Sequence, residues 1–166
     1  MVKARKGFTL VELLIVIVII GILASAMLLS SSSATASAEA STIISELRNL
    51  KAATMMFYAD SMDDINANKS GTASALKAST AITLLKRYMD NPEKLGGNYM
   101  FKSDTTGSRW WVGFLVSGNT DEVKEKLQGK AASTGLYGGS GTSVPEGTGS
   151  GNGYKKTNSS VWMVAR

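Results

Sequence analysis

The sequence predicts an α+β fold: a long N-terminal helix whose second half rests on a small antiparallel sheet domain. Three observations carry this prediction. Phe8 to Leu29, FTLVELLIVIVIIGILASAMLL, is almost wholly apolar; an amphipathic pattern follows with no proline before Pro92; and three short β-prone runs lie beyond Gly96-Gly97. The length of 166 residues holds one modest domain plus one long segment, since domains typically run about 100 to 150 residues.

The apolar run approaches the roughly 20 residues needed to cross a hydrocarbon core. Lys3, Arg5 and Lys6 precede it with no acid among them, which keeps that flank in the cytoplasm and sends the remainder of the chain across the membrane. After Ser30 to Ser33, a patch of weak helix formers, Ala40, Ile43, Ile44, Leu47, Leu50, Met55, Tyr58 and Met62 recur at spacings near three and four. That is the mark of one buried helical stripe. One helix from about Phe8 to about Met62 results, roughly 80 Å long at 1.5 Å per residue. Its first half needs lipid or partner helices, and its second half needs a domain. Melting between Gly21 and Ser33 is left open, because glycine and serine weaken a helix without forbidding it.

Asp63 to Ser70 is polar and reads as a loop. Thr72 to Met89 reads as a second helix, with Leu76, Ile82, Leu85 and Met89 facing inward and Asn91-Pro92 ending it. The β-prone runs are NYMFK, RWWVGFLV and, at the terminus, SSVWMVAR. Alternation puts Trp110, Val112, Phe114 and Val116 on one face of the middle run, with Trp111 and Leu115 on the other. Between the second and third runs a helix is expected, with Thr120 as N-cap, Asp121 and Glu122 in its first turn and Gly129 just past its end. Residues 135–153, GLYGGSGTSVPEGTGSGNG, read as a Gly/Ser-rich loop. The domain division is therefore 1–7 as a basic N-terminal flank, 8–29 as a membrane segment, 30–62 as the amphipathic half of the helix and 63–166 as a globular head.

Composition narrows the function classes. Cysteine and histidine are both absent, which removes thiolate nucleophiles, thiolate metal sites, the usual general base and the commonest metal ligand. No enzyme activity and no cofactor are expected. The chain has 18 Lys plus Arg against 13 Asp plus Glu, but three of the cations lie in the first seven residues, so 15 face 13 in the rest. No clustered basic face for nucleic acid follows from that balance.

The segment KGFTLVELLIVIVIIGILA joins a short basic leader ending in Gly7 to Phe8, to Glu12 four residues on, and to a long apolar run containing Gly21. In this it resembles the type IV filament family of type IV pilins, type II secretion pseudopilins and competence pseudopilins. The likeness covers about thirty residues. It implies cleavage between Gly7 and Phe8 by a membrane-embedded prepilin peptidase, and N-methylation of the new Phe8 amine. Glycine at the cut lets the backbone approach a protease closely. It further implies a homo-oligomeric helical filament built by an inner-membrane assembly platform, after residence in lipid of the cytoplasmic membrane with the N-terminus inside. The filament would then stand in the periplasm or at the cell surface.

A carboxylate inside an apolar helix costs about 2.5 to 3.5 kcal/mol on insertion scales. The resemblance gives Glu12 a role that explains the cost: it would neutralise the Phe8 amine of a neighbouring subunit and so set register. The plain alternative is a glutamate that snorkels to the cytoplasmic headgroups. The family's frequent proline after the glycine is missing here, which argues against a sharp kink; the C-terminal cysteine pair of many pilins is missing too, which favours a pseudopilin or a pilin from a lineage without that disulfide.

Trp110, Trp111 and Trp162 read as core or subunit contacts rather than a ligand site, because they sit in alternating runs. Asp60, Asp63 and Asp64 read as a solvated helix end; they lack the ordered spacing of a calcium loop. Some secretion pseudopilins bind calcium near the C-terminal loop, which here offers only Glu146, so no metal is expected. Two rival classes stand beside the filament reading. One is a secreted soluble protein with a signal-peptidase site at Ala34-Thr35-Ala36 or Ala36-Ser37-Ala38; Glu12 and an apolar run longer than the usual 7 to 15 residues weigh against it. The other is a single-pass membrane protein that keeps Met1 to Gly7 and never polymerises.

Overall fold

The computed structural model describes residues 7–61, 83, 85–89, 92–94, 97–103, 109–145, 147 and 149–166. It divides into two compact units, Met1–Thr35 and Ala36–Arg166. One helix, α1 (Leu10–Asp60), contributes to both. The helix is continuous through Gly21 and the serines, with no melted segment. Ser25 Oγ donates to the Gly21 carbonyl at 2.8 Å and Thr35 Oγ1 to the Ser31 carbonyl at 3.0 Å, so these hydroxyls bond back one turn instead of competing with the helix.

In the second unit α1 buries Ala36, Ala40, Ile43, Ile44, Leu47, Leu50, Ala53 and Phe57. The expected stripe holds as far as Leu50 and then shifts. Met55 is 49% exposed and Tyr58 is only partly buried, whereas Ala53, Thr54 and Phe57 face the core. The reason is the helical period: at about 100° per residue, position 55 lies about 140° from Leu50, while 53, 54 and 57 all fall within about 60° of it. The buried Thr54 hydroxyl is satisfied by donating to the Leu50 carbonyl at 2.7 Å. Met62 lies outside the described residues.

The sheet has four strands, β1 (Tyr99–Ser103), β2 (Trp110–Leu115), β3 (Leu136–Gly139) and β4 (Ser160–Val164). Their spatial order is β1-β2-β4-β3 with every pairing antiparallel. Trp110, Val112, Phe114 and Val116 join Val161 and Met163 in the core cluster with the α1 stripe. Trp110 is the centre of an aromatic group, stacked on Phe57 at 5.9 Å and met edge-on by Tyr58 and Phe101. The opposite face carries Trp111 and Trp162, also buried. Trp111 meets Tyr137 edge-on at 5.5 Å, and Trp162 donates from its indole nitrogen to Ser160 Oγ at 2.9 Å. All three tryptophans are thus core, at about 1.5 to 3 kcal/mol or more apiece for large apolar side chains.

The helix between β2 and β3, α2 (Asp121–Thr134), begins where expected, with Thr120 in extended geometry as its N-cap. It does not stop at Gly129. It runs to Gly135, whose left-handed φ of 67° and N–H bond to the Ala131 carbonyl end it. Gly129 sits inside the helix with open space beside it, a tolerated weakening of about 0.5 to 1 kcal/mol relative to alanine.

The second difference is β3, which occupies the first part of the expected 135–153 loop. Its Gly138 and Gly139 are there for want of space. An added Cβ would lie 2.1 Å from Asn158 Oδ1 at the first and 2.4 Å from Trp162 Nε1 at the second. Glycine that reads as a loop signal here marks close packing inside a strand. Of the expected helix from Thr72 to Met89, Leu76 and Ile82 lie outside the described residues. Leu85 is buried, and Lys86–Tyr88 form a short 3-10 turn. Asp63, Asp64 and Glu146 also lie outside the described residues.

Candidate functional site

Gly7, Phe8 and Thr9 precede the first helical residue and lie in irregular backbone. A side chain at Gly7 would meet nothing within 4 Å, and Phe8 is 87% exposed. Gly7 and Phe8 therefore stand exposed ahead of the helix.

Thr9 and Glu12 close the helix start on each other. The Thr9 N–H and the Thr9 hydroxyl both donate to Glu12 Oε2 at 2.8 Å, and the Glu12 N–H donates to Thr9 Oγ1 at 3.2 Å. This is a capping box, which satisfies two of the N–H groups that every helix start leaves free. The carboxylate also lies at the positive end of the helix dipole. Glu12 is thus held in its own chain, and one turn from the residue whose amine cleavage would free. The role expected of Glu12 is implied by the resemblance, supported by its membrane cost and its place beside Gly7-Phe8. The Thr9-Leu10-Val11-Glu12 spacing, Thr-x-x-Glu before an apolar run, is a direct signal for this geometry and brings in Thr9 as a further site residue.

Beyond the cap the helix is apolar on all sides. Its large side chains run from 83% exposed at Leu10 to 47% at Val16. The most apolar window of α1 has a mean hydropathy of 3.0, is none of it buried, and is long enough to cross a membrane. A helix is one of the two backbone forms that satisfy every peptide group inside lipid. An apolar face this wide, uncovered by its own chain, requires lipid or other helices.

Residues 2–28 match the family described as the prokaryotic N-terminal methylation motif. The chain carries the prepilin-type signature of type IV pilins and pseudopilins. Its long N-terminal helix and small antiparallel sheet match the pilin layout. The motif supports a pilin-like or pseudopilin precursor and implies prepilin peptidase processing, filament assembly and membrane anchoring beforehand; the family is structural and not an enzyme family. No curated protein and no solved structure matches the chain.

Two tyrosines outside this segment have altered acidity. Burial, aided by the nearby Glu46 carboxylate, pushes the Tyr99 phenol up to about 12, and burial alone pushes Tyr154 to about 12. Among the described residues no group of three acids forms a metal cluster.

Proposed function

We propose that this chain is the precursor of a structural subunit of a type IV pilus or pilus-like filament. Prepilin peptidase cuts between Gly7 and Phe8, the Phe8 amine is methylated, and residues 8–29 hold the mature chain in the cytoplasmic membrane with its N-terminus inside. The assembly platform then moves the subunit into a filament, where that apolar segment exchanges lipid for the helices of other copies. Residues 63–166, with the amphipathic part of α1, form the head. The observation that carries this reading is the coincidence of the methylation motif at residues 2–28 with an apolar helix that its own chain leaves exposed.

Within this reading Glu12 passes from one partner to another. In the single chain its carboxylate is occupied by Thr9. In the filament it takes the Phe8 amine of a neighbour, an exchange of neutral donors for a charged one. Both sets of bonds are charge-assisted because the acceptor is a carboxylate, but only the ammonium adds the attraction of an opposite charge, so the exchange favours the single axial offset that brings the two charges together. Thr9 keeps the carboxylate oriented and hydrogen-bonded until then.

The test is Gly7→Glu. A charged side chain at the cut should leave full-length precursor, measured as intact mass and the absence of a Phe8 N-terminus. Normal mature protein from that variant would remove the cleavage assignment. A signal-peptidase product, starting near Ser37, would show in the same spectrum and support the secreted alternative. The pseudopilin is the second reading; the absence of cysteine fits it, as it fits a pilin from a lineage without the C-terminal disulfide. Electron microscopy of sheared surface material separates the two: long fibres for a pilin, their absence beside a secretion defect for a pseudopilin.

A further inference from the structure

The face of the second unit where α1 and α2 meet has a notch of about 210 Å³, lined by Ser41, Ser45 and Arg48 of α1 and by Lys130 and Thr134 of α2 around Ile44. The spacings of three, four and seven on α1 and four on α2 set these side chains along facing helical rows. Two cations therefore share one polar recess. Lys130 Nζ donates to the neutral Ser41 hydroxyl at 2.6 Å. Among the described residues no carboxylate pairs with Lys130 or with Arg48. Like charges placed together raise the energy of the pair, and an anion between them reverses the sign. Arginine's planar fork with hydroxyls beside it suits a carboxylate in particular.

The same helix carries the complementary charge at its other end. Glu122 and Glu125 are exposed and have no ion-pair partner among the described residues, the ion pair of that turn being Asp121 with Lys124. Glu122 and Lys130 are eight residues apart, about 12 Å along the axis and beyond the three- and four-residue reach within which helix side chains meet. One chain thus presents the exposed Glu122 and Glu125 carboxylates, with Lys124 and Lys126 on the same turns, and a basic notch that these carboxylates do not reach. Distinct complementary patches on one molecule define a head-to-tail contact, the kind that continues into an open filament when its rotation does not close a ring.

We propose that the Arg48–Lys130 notch receives the Glu122 and Glu125 carboxylates of a second copy of this chain, as a contact between neighbouring heads. The inference rests on the filament reading and extends it. The apolar helices supply the adhesion of the fibre; this contact adds register and suppresses misaligned neighbours, as charge complementarity does at interfaces generally.

Charge reversal in the full-length chain tests it. Lys130→Glu and Glu122→Lys should each lower the yield of sheared filaments about ten-fold, because like charges then face each other, a juxtaposition costing several kcal/mol at an interface. The double variant, with the pair reversed, should recover to near wild type. Single reversals at wild-type yield would overturn the proposal, as would a double variant no better than the poorer single one, since a different anion would then occupy the notch. An independent readout uses the chain's lack of cysteine. Arg48→Cys with Glu122→Cys should give a ladder of disulfide-linked multimers on mild oxidation of filaments, while each single variant gives none. Filaments at normal yield without a ladder would overturn the contact and leave the filament reading intact. Absence of filaments from the wild type would instead remove that reading, and the contact with it.

Discussion

The two units put the same kinds of residue to opposite uses. In residues 10–28 every large aliphatic side chain is exposed, while from Ala36 onward the core takes in leucine, isoleucine, valine, phenylalanine and tryptophan until several have no exposed surface. Each helical half is continuous and satisfied in its backbone, so the difference lies wholly in which face has a partner inside the chain. The second unit closes on itself, with a stripe of α1 against one face of a sheet. The first unit has no closure, and its free energy is settled by whatever surrounds it. One chain therefore contains a domain that folds by burying its own surface and a segment whose apolar surface its own chain leaves uncovered.

The strongest way to break that comparison is to separate the units. Deleting Met1 to Ser33 should abolish membrane partition and polymerisation together and leave a soluble monomer, read by fractionation and gel filtration. An insoluble or polymeric product would mean that the second unit also depends on outside partners.

Next in size is Glu12→Val. Removing a carboxylate lowers the cost of insertion, by at most the roughly 2.5 to 3.5 kcal/mol of a charge at the helix centre, so membrane insertion and precursor cleavage should persist. Filament yield should fall to the detection limit, because the incoming Phe8 amine would be left unpaired in apolar surroundings, at a cost of about 3 to 5 kcal/mol for a broken buried pair. Glu12→Gln retains a side-chain oxygen for Thr9 and loses the charge; it should insert, be cleaved and assemble poorly. Wild-type filaments from Glu12→Val would defeat the charge-pair mechanism and favour a glutamate that merely snorkels.

Inside the second unit, Gly113→Ala probes how tightly the core closes. A Cβ there would lie 2.4 Å from Cε3 of Trp162 and almost as close to two more ring atoms. The ring is itself fixed by its bond to Ser160. Overpacking of this kind costs about 1 to 3 kcal/mol, seen as a lower Tm of the isolated second unit. Its effect on membrane insertion should be nil. An unchanged Tm would show that Trp162 has room to move.

Much of this architecture was legible because it rests on periodicities. The alternation around Trp110 sorts β2 correctly, and the three- and four-residue stripe locates the buried face of α1 up to Leu50. What escaped reading falls where one residue type serves two purposes. Gly129 reads as a helix end and is an interior residue; Gly135, six positions on, has the left-handed backbone that ends α2. Gly138 and Gly139 look like loop residues and are the tight part of β3. Met55 matches a stripe in composition but not in angle. At the N-terminus, Gly7, Phe8 and Glu12 were legible as a pattern, whereas the reciprocal bonding of Thr9 with Glu12 needed the Thr-x-x-Glu spacing to be read as a cap.

The smallest expected effect is a pH dependence confined to the second unit. Tyr99 and Tyr154 are shifted from an ordinary phenol value of 10.0 to about 12. Between those values the folded unit keeps both protons while the unfolded chain has begun to lose them. The folded state then binds more protons, so unfolding free energy must fall as pH rises. The stability these phenols contribute is complete below pH 10 and is lost progressively up to about pH 12. Phenylalanine at both positions removes the titration and retains the rings. Chemical denaturation of the isolated second unit across this window should therefore show a decline that Tyr99→Phe with Tyr154→Phe flattens. Tyr99 carries the added influence of Glu46, so Glu46→Gln should bring its spectroscopic titration back toward 10 and leave that of Tyr154 in place. A Tyr99 titration unmoved by Glu46→Gln would assign its shift to burial alone.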